Sequence, residues 1–177
     1  MFGAEVGELD RRCANLVRVG TIAEADYVTA KARVRIGDMV TDWRPWAVGC
    51  AGADVTWSAP EVGEQVMLLS PGGNLSLGVI VGGLYQQSAP PPADRPTLRR
   101  IVYGDGTVVE YDRESHRLRV DLTAATGTAE IRSGPAVLTV APDGISLRVG
   151  ASLLLVAADK IRIEADLIEK SPNERTI

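Results

Sequence analysis

Large aromatic side chains are scarce in this sequence, and nearly all the tryptophan and phenylalanine lies near its beginning. Aromatic residues make up 5% of the 177 residues, and the C-terminal half contains neither Trp nor Phe. Apolar residues nevertheless reach 45%, so the chain is expected to fold rather than stay disordered. Because Val, Ile, Leu and Ala must then fill most of the interior, the composition favours narrow, repetitive β packing over a bulky globular core.

Cysteine, histidine and long apolar runs are also scarce. Cys13 and Cys50 are too few for a disulfide framework and are expected to be reduced, partly buried thiols. His116 stands in a polar stretch and is expected to be a solvated turn residue, not a metal ligand or a catalytic base. We find no pattern of a signal peptide or a membrane span, so a soluble chain made in a cytoplasm is expected. The net charge of −4 argues weakly against nucleic acid as the main partner.

The first half of the sequence predicts a short helix followed by a small barrel. Val6, Leu9, Cys13 and Leu16 form one apolar stripe at helical spacing. After Leu16 the period changes to two, and five short strands separated by Gly-rich turns are predicted. Many short strands with turns of this kind are typical of an oligonucleotide/oligosaccharide-binding (OB) barrel. A helix this short is not stable alone, so its stripe needs a surface on which to pack.

The second half predicts a fold that needs more than one chain. Four prolines between residues 86 and 96 mark a domain boundary, because proline fits neither a strand ladder nor a helix interior. Short alternating strands then recur, and alone they would bury too little apolar area to offset a chain entropy of ~1–2 kcal/mol per residue. Three chains wound about one axis would bury the alternate apolar residues centrally, which predicts a triple-stranded β-helix formed by a homotrimer. The residues expected in its interior are Leu118, Val120, Ile131, Ile145, Leu147, Val149, Leu153, Leu155, Ile161 and Ile163.

The predicted fold class is therefore all-β, with an N-terminal OB-fold-like barrel, a trimeric β-helix and a short N-terminal helix. The predicted segments are residues 1–16 (helix), 17–86 (OB barrel that binds a hub), 87–97 (Pro-rich linker), 98–168 (intertwined trimeric β-helix spike) and 169–177 (C-terminal tail).

An ordered series of motifs runs through the first domain. Its members are Val19-Gly20-Thr21-Ile22, Thr41-Asp42-Trp43, Trp46, Ala51-Gly52, Trp57, Ala59-Pro60, Val62-Gly63-Glu64-Gln65-Val66, Gly72-Gly73 and Gly83-Leu84-Tyr85. The series resembles the baseplate assembly protein V, or central spike, family of contractile-tailed phages and R-type pyocins. Tyr103-Gly104-Asp105-Gly106, followed by Glu110-Tyr111-Asp112, resembles the start of that family's β-helix.

The resemblance implies a homotrimer in the tail baseplate of a virion, assembled in the host cytoplasm. Its barrels would attach to the tail hub protein, and its β-helix would pierce the host outer membrane mechanically when the sheath contracts, without enzymatic activity. Family members with their own pointed tip bind iron through a His-x-His pair near the C-terminus. Residues 166–177 contain no such pair, so we expect no cofactor and a separate protein that caps the tip.

The candidate site residues have competing interpretations. Trp43, Trp46 and Trp57 either pack in the barrel or form an interface with the hub or a neighbouring subunit. The alternative function is an OB-type module that binds single-stranded nucleic acid or oligosaccharide, but no Lys/Arg cluster surrounds these tryptophans. An enzyme on a β scaffold is a third hypothesis, but carboxylate pairs such as Asp105 with Glu110 are expected to be surface charges. No catalytic or metal-binding residue is therefore predicted.

Overall fold

β-strands dominate the described part of the chain, which confirms the mainly β class with a short N-terminal helix. The structure is a computed structural model that describes residues 2–166. Helix α1 (Phe2–Leu16) precedes the first strand. None of the helices described is long and apolar enough to cross a membrane. The chain divides into two compact units, Met1–Pro91 and Pro92–Ile177, at a point inside the stretch predicted as the linker.

The first unit is a closed barrel of short antiparallel strands. Its strands are β1 (Val17–Asp26), β2 (Lys31–Ile36), β3 (Met39–Val40), β4 (Arg44–Pro45), β5 (Gln65–Leu69) and β6 (Val79–Gly83). The sheet order is β3-β2-β1-β5-β6, and β4 also pairs with β2. Trp46, just after β4, bridges Ile80 of β6, and the N–H of Ala47 donates to the Ile80 carbonyl at 2.8 Å. These bonds join the two ends of the sheet.

Alternating apolar residues of four strands fill the barrel. The buried side chains are Ile22, Ala32, Val34, Val66, Leu68 and Ile80. Gly20 allows β1 and β2 to come close together, because a Cβ atom there would lie 2.5 Å from the carbonyl oxygen of Arg35. The barrel wall is thus tight at this point and has no space for a side chain.

Helix α1 is attached to the barrel by one side only. Gly73, in a 3₁₀ turn (Pro71–Gly73), contacts the helix so closely that a Cβ atom would lie 2.3 Å from the Arg12 carbonyl oxygen. Asn15 is buried, and its Oδ1 accepts a hydrogen bond from Nη2 of Arg18 at 2.9 Å. The apolar stripe lies elsewhere on the helix and is exposed, Cys13 included. Cys50 is exposed as well, so the expectation of partly buried thiols was wrong.

The second unit contains two antiparallel sheets. A three-stranded sheet consists of β7 (Leu98–Val102), β8 (Val108–Asp112) and β9 (Arg117–Asp121). A five-stranded meander consists of β10 (Ala129–Ser133), β11 (Ala136–Ala141), β12 (Gly144–Val149), β13 (Ser152–Ala157) and β14 (Ile161–Glu164).

Each described strand of this unit pairs with its neighbour in sequence, so the ladders form within one chain. The sequence predicted strand pairing between chains. The backbone N–H and C=O groups of the inner strands already have partners within one chain and do not need pairing between chains. The intertwined trimer stays a prediction. Residues 92–97, predicted as part of the linker, belong to this unit, since the N–H of Arg113 donates to the Thr97 carbonyl at 3.1 Å. The last residues of the predicted spike, 167–168, and the tail 169–177 lie outside the described residues.

Candidate functional site: exposed apolar faces of the C-terminal sheets

One face of the five-stranded meander carries two cross-strand rows of apolar side chains, which we call the apolar meander face. Each member of a row lies directly opposite the next member on the neighbouring strand. The first row is Ile131, Leu138, Leu147, Leu154 and Ile163. The second row is Ala129, Val140, Ile145, Val156 and Ile161. The large side chains are exposed, from 37% for Leu138 to 71% for Ile161. Contiguous apolar surface of this kind marks an interaction site.

The opposite face of the meander is mixed and charged. Its polar residues include Glu130, Arg132, Thr139, Ser146, Arg148, Arg162 and Glu164. Nη2 of Arg132 donates to Oε2 of Glu130 at 2.7 Å, and Arg162 pairs with Glu164. Exposed ion pairs contribute little to stability. Their position shows that the charged face suits contact with water, whereas the face with the two apolar rows does not.

The predicted interior residues of the meander divide between the two faces. Six of them share the apolar meander face: Ile131, Ile145, Leu147, Val149, Ile161 and Ile163. Leu153 and Leu155 lie on the opposite face, since Leu153 pairs with Arg148 and Leu155 with Ser146. The sequence prediction missed Leu138, Val140, Leu154 and Val156, which the strand pairing places in the apolar rows. Whether this face becomes an interior stays a prediction at this point.

The three-stranded sheet also exposes an apolar face. Ile101, Val109 and Val120 form one cross-strand row, and Tyr111 and Leu118 lie opposite each other in the adjacent row. The predicted interior residues Leu118 and Val120 are 70% and 54% exposed. A cavity of ≈ 310 Å³ is lined by both Val120 and Val140, so one residue of each apolar surface contributes to a common cavity.

Charged groups are buried on the other face of this small sheet. Glu110 is only 3% exposed, and Nε of Arg100 donates to its Oε2 at 2.6 Å. Nη1 of Arg100 also donates to the Pro92 carbonyl at 2.7 Å. The expectation that Glu110 is a surface charge was therefore wrong, since this carboxylate is buried and paired with Arg100; Asp105 is exposed as expected. The sheet thus buries the carboxylates of Glu110 and Asp112 while it leaves large apolar residues such as Leu118 exposed, which is unusual for a surface that stays in water.

Aspartates at the hairpin turns accept local hydrogen bonds. The backbone N–H of Glu114 donates to Asp112 at 2.9 Å, and this bond, with Ser115 and the Arg95 guanidinium nearby, lowers the pKa of Asp112. The backbone N–H of Thr107 likewise donates at 2.9 Å and lowers the pKa of Asp105. Both carboxylates fix turns, as acceptors of nearby N–H groups commonly do. They have a structural explanation and need no catalytic one.

The three tryptophans lie around one region of the barrel but differ in burial. Trp46 packs against the core, and its ring meets Trp57 edge to face with centroids 5.7 Å apart. Trp43 is 41% exposed and Trp57 is 64% exposed. The Arg33 guanidinium lies 6.0 Å from the centroid of the Trp43 ring, which suits a cation–π contact. Trp46 therefore packs against the core with part of its surface, and the interface role of Trp43, Trp46 and Trp57 stays a prediction.

The described residues offer little for chemistry. Within residues 2–166, no group of three or more His, Cys, Asp or Glu side chains is placed to hold a metal ion. His116 lies exposed in the turn between β8 and β9, with a φ of 52°. The arrangement that distinguishes this molecule is a large apolar surface, which can bind protein but supplies no acid, base or nucleophile.

Comparison with known proteins adds two findings. Residues 18–85 match the family model of the type VI secretion system/phage-baseplate injector OB domain. The chain is also similar to the spike protein of Escherichia phage P2, with 36% identity over 139 residues. That match covers 78% of this chain and 64% of the phage P2 protein, so it spans slightly less than two thirds of that relative.

Proposed function

The chain belongs to the family of phage-baseplate spike proteins with an injector OB domain, and on that premise we propose that it works as a homotrimeric central spike of a contractile tail. In this proposal it is a component of the tail baseplate of the virion. It acts through shape and force, not through catalysis. Its barrel attaches the spike to the tail hub protein, and its C-terminal sheets form the part that pierces the host outer membrane.

The apolar meander face carries this proposal. Its two rows span all five strands of the meander, yet nothing in a single described chain covers them. Three copies with these faces directed at a common axis would bury the rows against each other and leave the charged faces in water. The result is a three-sided prism in which each chain supplies one wall. This differs from the strand pairing between chains expected from the sequence, because in this proposal the strands of each wall form their hydrogen bonds within one chain.

A prism of this kind suits mechanical load. Apolar side chains packed on the axis are close-packed and resist compression. In this proposal the apolar face of the three-stranded sheet extends the same core, since Val120 and Val140 line one cavity. The lack of a cofactor and the separate tip-capping protein remain proposals based on the sequence of residues 166–177, which lie mostly outside the described part.

The oligomeric state tests the proposal directly. Size-exclusion chromatography with multi-angle light scattering of the purified chain should give three times the 18.8 kDa of one chain. A monomer with the apolar meander face exposed at micromolar concentration would exclude the spike proposed here. A dimer would exclude it equally, because two flat faces can bury each other without forming a three-sided shaft.

A further inference from the structure

Two more apolar surfaces are exposed in the first unit. The helix stripe consists of Val6, Leu9, Cys13 and Leu16, with Val6 57% and Leu9 61% exposed. The outer barrel face consists of residues on β1, β5 and β6 that point away from the core: Val17, Val19, Met67, Leu69, Val79 and Val81. Val17, Val19 and Leu69 are each about half exposed, at 53%, 49% and 48%. The interior and exterior of the barrel wall are therefore both apolar here.

The helix stripe and the outer barrel face of one chain do not cover each other. The helix packs on the 3₁₀ turn Pro71–Gly73 through the side that carries Arg12 and Asn15. At 100° per residue, the centre of the stripe lies about 110° around the helix axis from the midpoint between Arg12 and Asn15, although Arg12 itself is only about 40° from Leu16. The seat on Gly73 holds the helix in place, so within the chain both apolar surfaces stay in water.

Charged residues of opposite sign that form no ion pair within the described part of the chain lie beside the two surfaces. Glu5 and Asp10 flank the helix stripe, and both are exposed. Arg35, opposite Thr21, borders the outer barrel face and is exposed too. Among the described residues, none of these three is part of an ion pair, although Glu8 beside them pairs with Arg11 and Arg12. Complementary borders of this kind favour contact between the two surfaces.

We infer that the helix stripe of one copy packs on the outer barrel face of the next copy. The inference rests on the trimer proposed above and adds a second contact to it, in the barrel unit. Because one chain carries both halves of the contact, each copy uses one half toward each neighbour, and a head-to-tail contact of this type closes into a ring of three when successive copies are related by a third of a full rotation. It also supplies the surface that a 15-residue helix needs in order to be stable.

Cys13 allows a direct test, since it lies in the helix stripe and is exposed. Two full-length chains with different tags are co-expressed, both with Cys50→Ser. The first keeps Cys13; the second carries Cys13→Ser and Val19→Cys, which places its thiol on the outer barrel face. Each chain then has one thiol, so a short bis-maleimide can join the two tags only through a contact between copies. The control replaces Val19→Cys by Val28→Cys, because Val28 is 96% exposed in the turn between β1 and β2.

The expected result is a covalent product with both tags for the Val19→Cys chain, and at least about tenfold less of it for the Val28→Cys chain, because a thiol outside the contact meets Cys13 only by random collision. Equal yields for the two chains, or products with one tag only, would overturn the inference. Light scattering of the same samples separates the two proposals. A trimer without the two-tag product removes only the helix contact, whereas a monomer removes both the helix contact and the spike.

Discussion

Replacing Leu147 by alanine should weaken the trimer far more than replacing Leu155 by alanine. Both leucines lie in the central hairpin of the meander, Leu147 on β12 and Leu155 on β13. Leu147 stands between Leu138 and Leu154 in the first apolar row, whereas Leu155 is paired with Ser146 on the opposite face. The two substitutions remove the same atoms from neighbouring strands, so a difference between them reports which face is buried between chains.

The magnitude follows from the exposure of Leu147. Leucine to alanine removes three carbons, each contributing ~0.8 kcal/mol when fully buried. Because 46% of Leu147 is exposed in one chain, its burial in a trimer accounts for about 1 kcal/mol per chain. Three chains together lose about 3 kcal/mol, which weakens the trimer roughly 100- to 300-fold. For Leu155→Ala the assembly term should be close to zero, although the chain itself loses some stability.

Sedimentation velocity over a urea series provides the assay. The urea concentration at which the trimer dissociates should fall clearly for Leu147→Ala and stay near that of the unmodified chain for Leu155→Ala. Circular dichroism on the same samples checks that the strands remain folded. Equal effects of the two substitutions, or a larger effect of Leu155→Ala, would refute the assignment of the apolar meander face to the trimer axis.

Three further substitutions test single residues. Gly20→Ala should destabilise the barrel by about 1–3 kcal/mol, because its Cβ would lie 2.5 Å from the Arg35 carbonyl oxygen. A Cβ atom on Gly7 in α1 would have open space around it, so Gly7→Ala should stabilise the chain by about 0.5–1 kcal/mol. Thermal unfolding of both variants gives the comparison. Equal shifts in Tm would contradict the close approach of β1 and β2 at Gly20. The lowered pKa of Asp112 means that the unfolded chain binds more protons near the ordinary value of 3.8, so the stabilising effect of this carboxylate is present above that pH and is lost as the pH falls through the lower folded pKa. Asp112→Asn should therefore be less stable at neutral pH and show a shallower decline of Tm with acid; an unchanged slope would count against this role.

The sequence predicts where the strands lie, but it does not always predict which face of the sheet each side chain occupies. Alternation in Ile145-Ser146-Leu147-Arg148-Val149 fixes which side of β12 is apolar. Strand β13 contains the run Leu153-Leu154-Leu155-Val156, which has no polar residue. Alternation therefore cannot show which of these residues lie on the same face as Leu147. The pairing of Leu147 with Leu154 decides it, and that pairing depends on the length of the turn between the strands. For this reason the sequence grouped Leu153 and Leu155 with Leu147, whereas the strand pairing places them on the opposite face of the meander.

The burial of Glu110 in the three-stranded sheet could not be predicted from the sequence, for a different reason. Glu110 alternates with Val109 and Tyr111, which is the pattern of a strand with a wet polar face. In the structure Glu110 is buried and accepts a hydrogen bond from Arg100, which also donates to the Pro92 carbonyl. The path of the irregular segment around Pro92 decides the second of these contacts, and periodicity does not report it. The exposure of the apolar stripe of helix α1 could not be predicted either. Helical spacing identifies the stripe, but it does not show which surface the stripe packs against.

The meander has a consequence for how shaft length can change in evolution. Each strand bonds only to the strands before and after it, so duplicating or deleting one hairpin keeps the direction of all later strands and the side to which their apolar residues point. At ~4.8 Å between strands, each hairpin alters the length by roughly 9.5 Å. In the proposed spike, a change in the number of hairpins would therefore alter the reach in fixed increments, without altering the barrel.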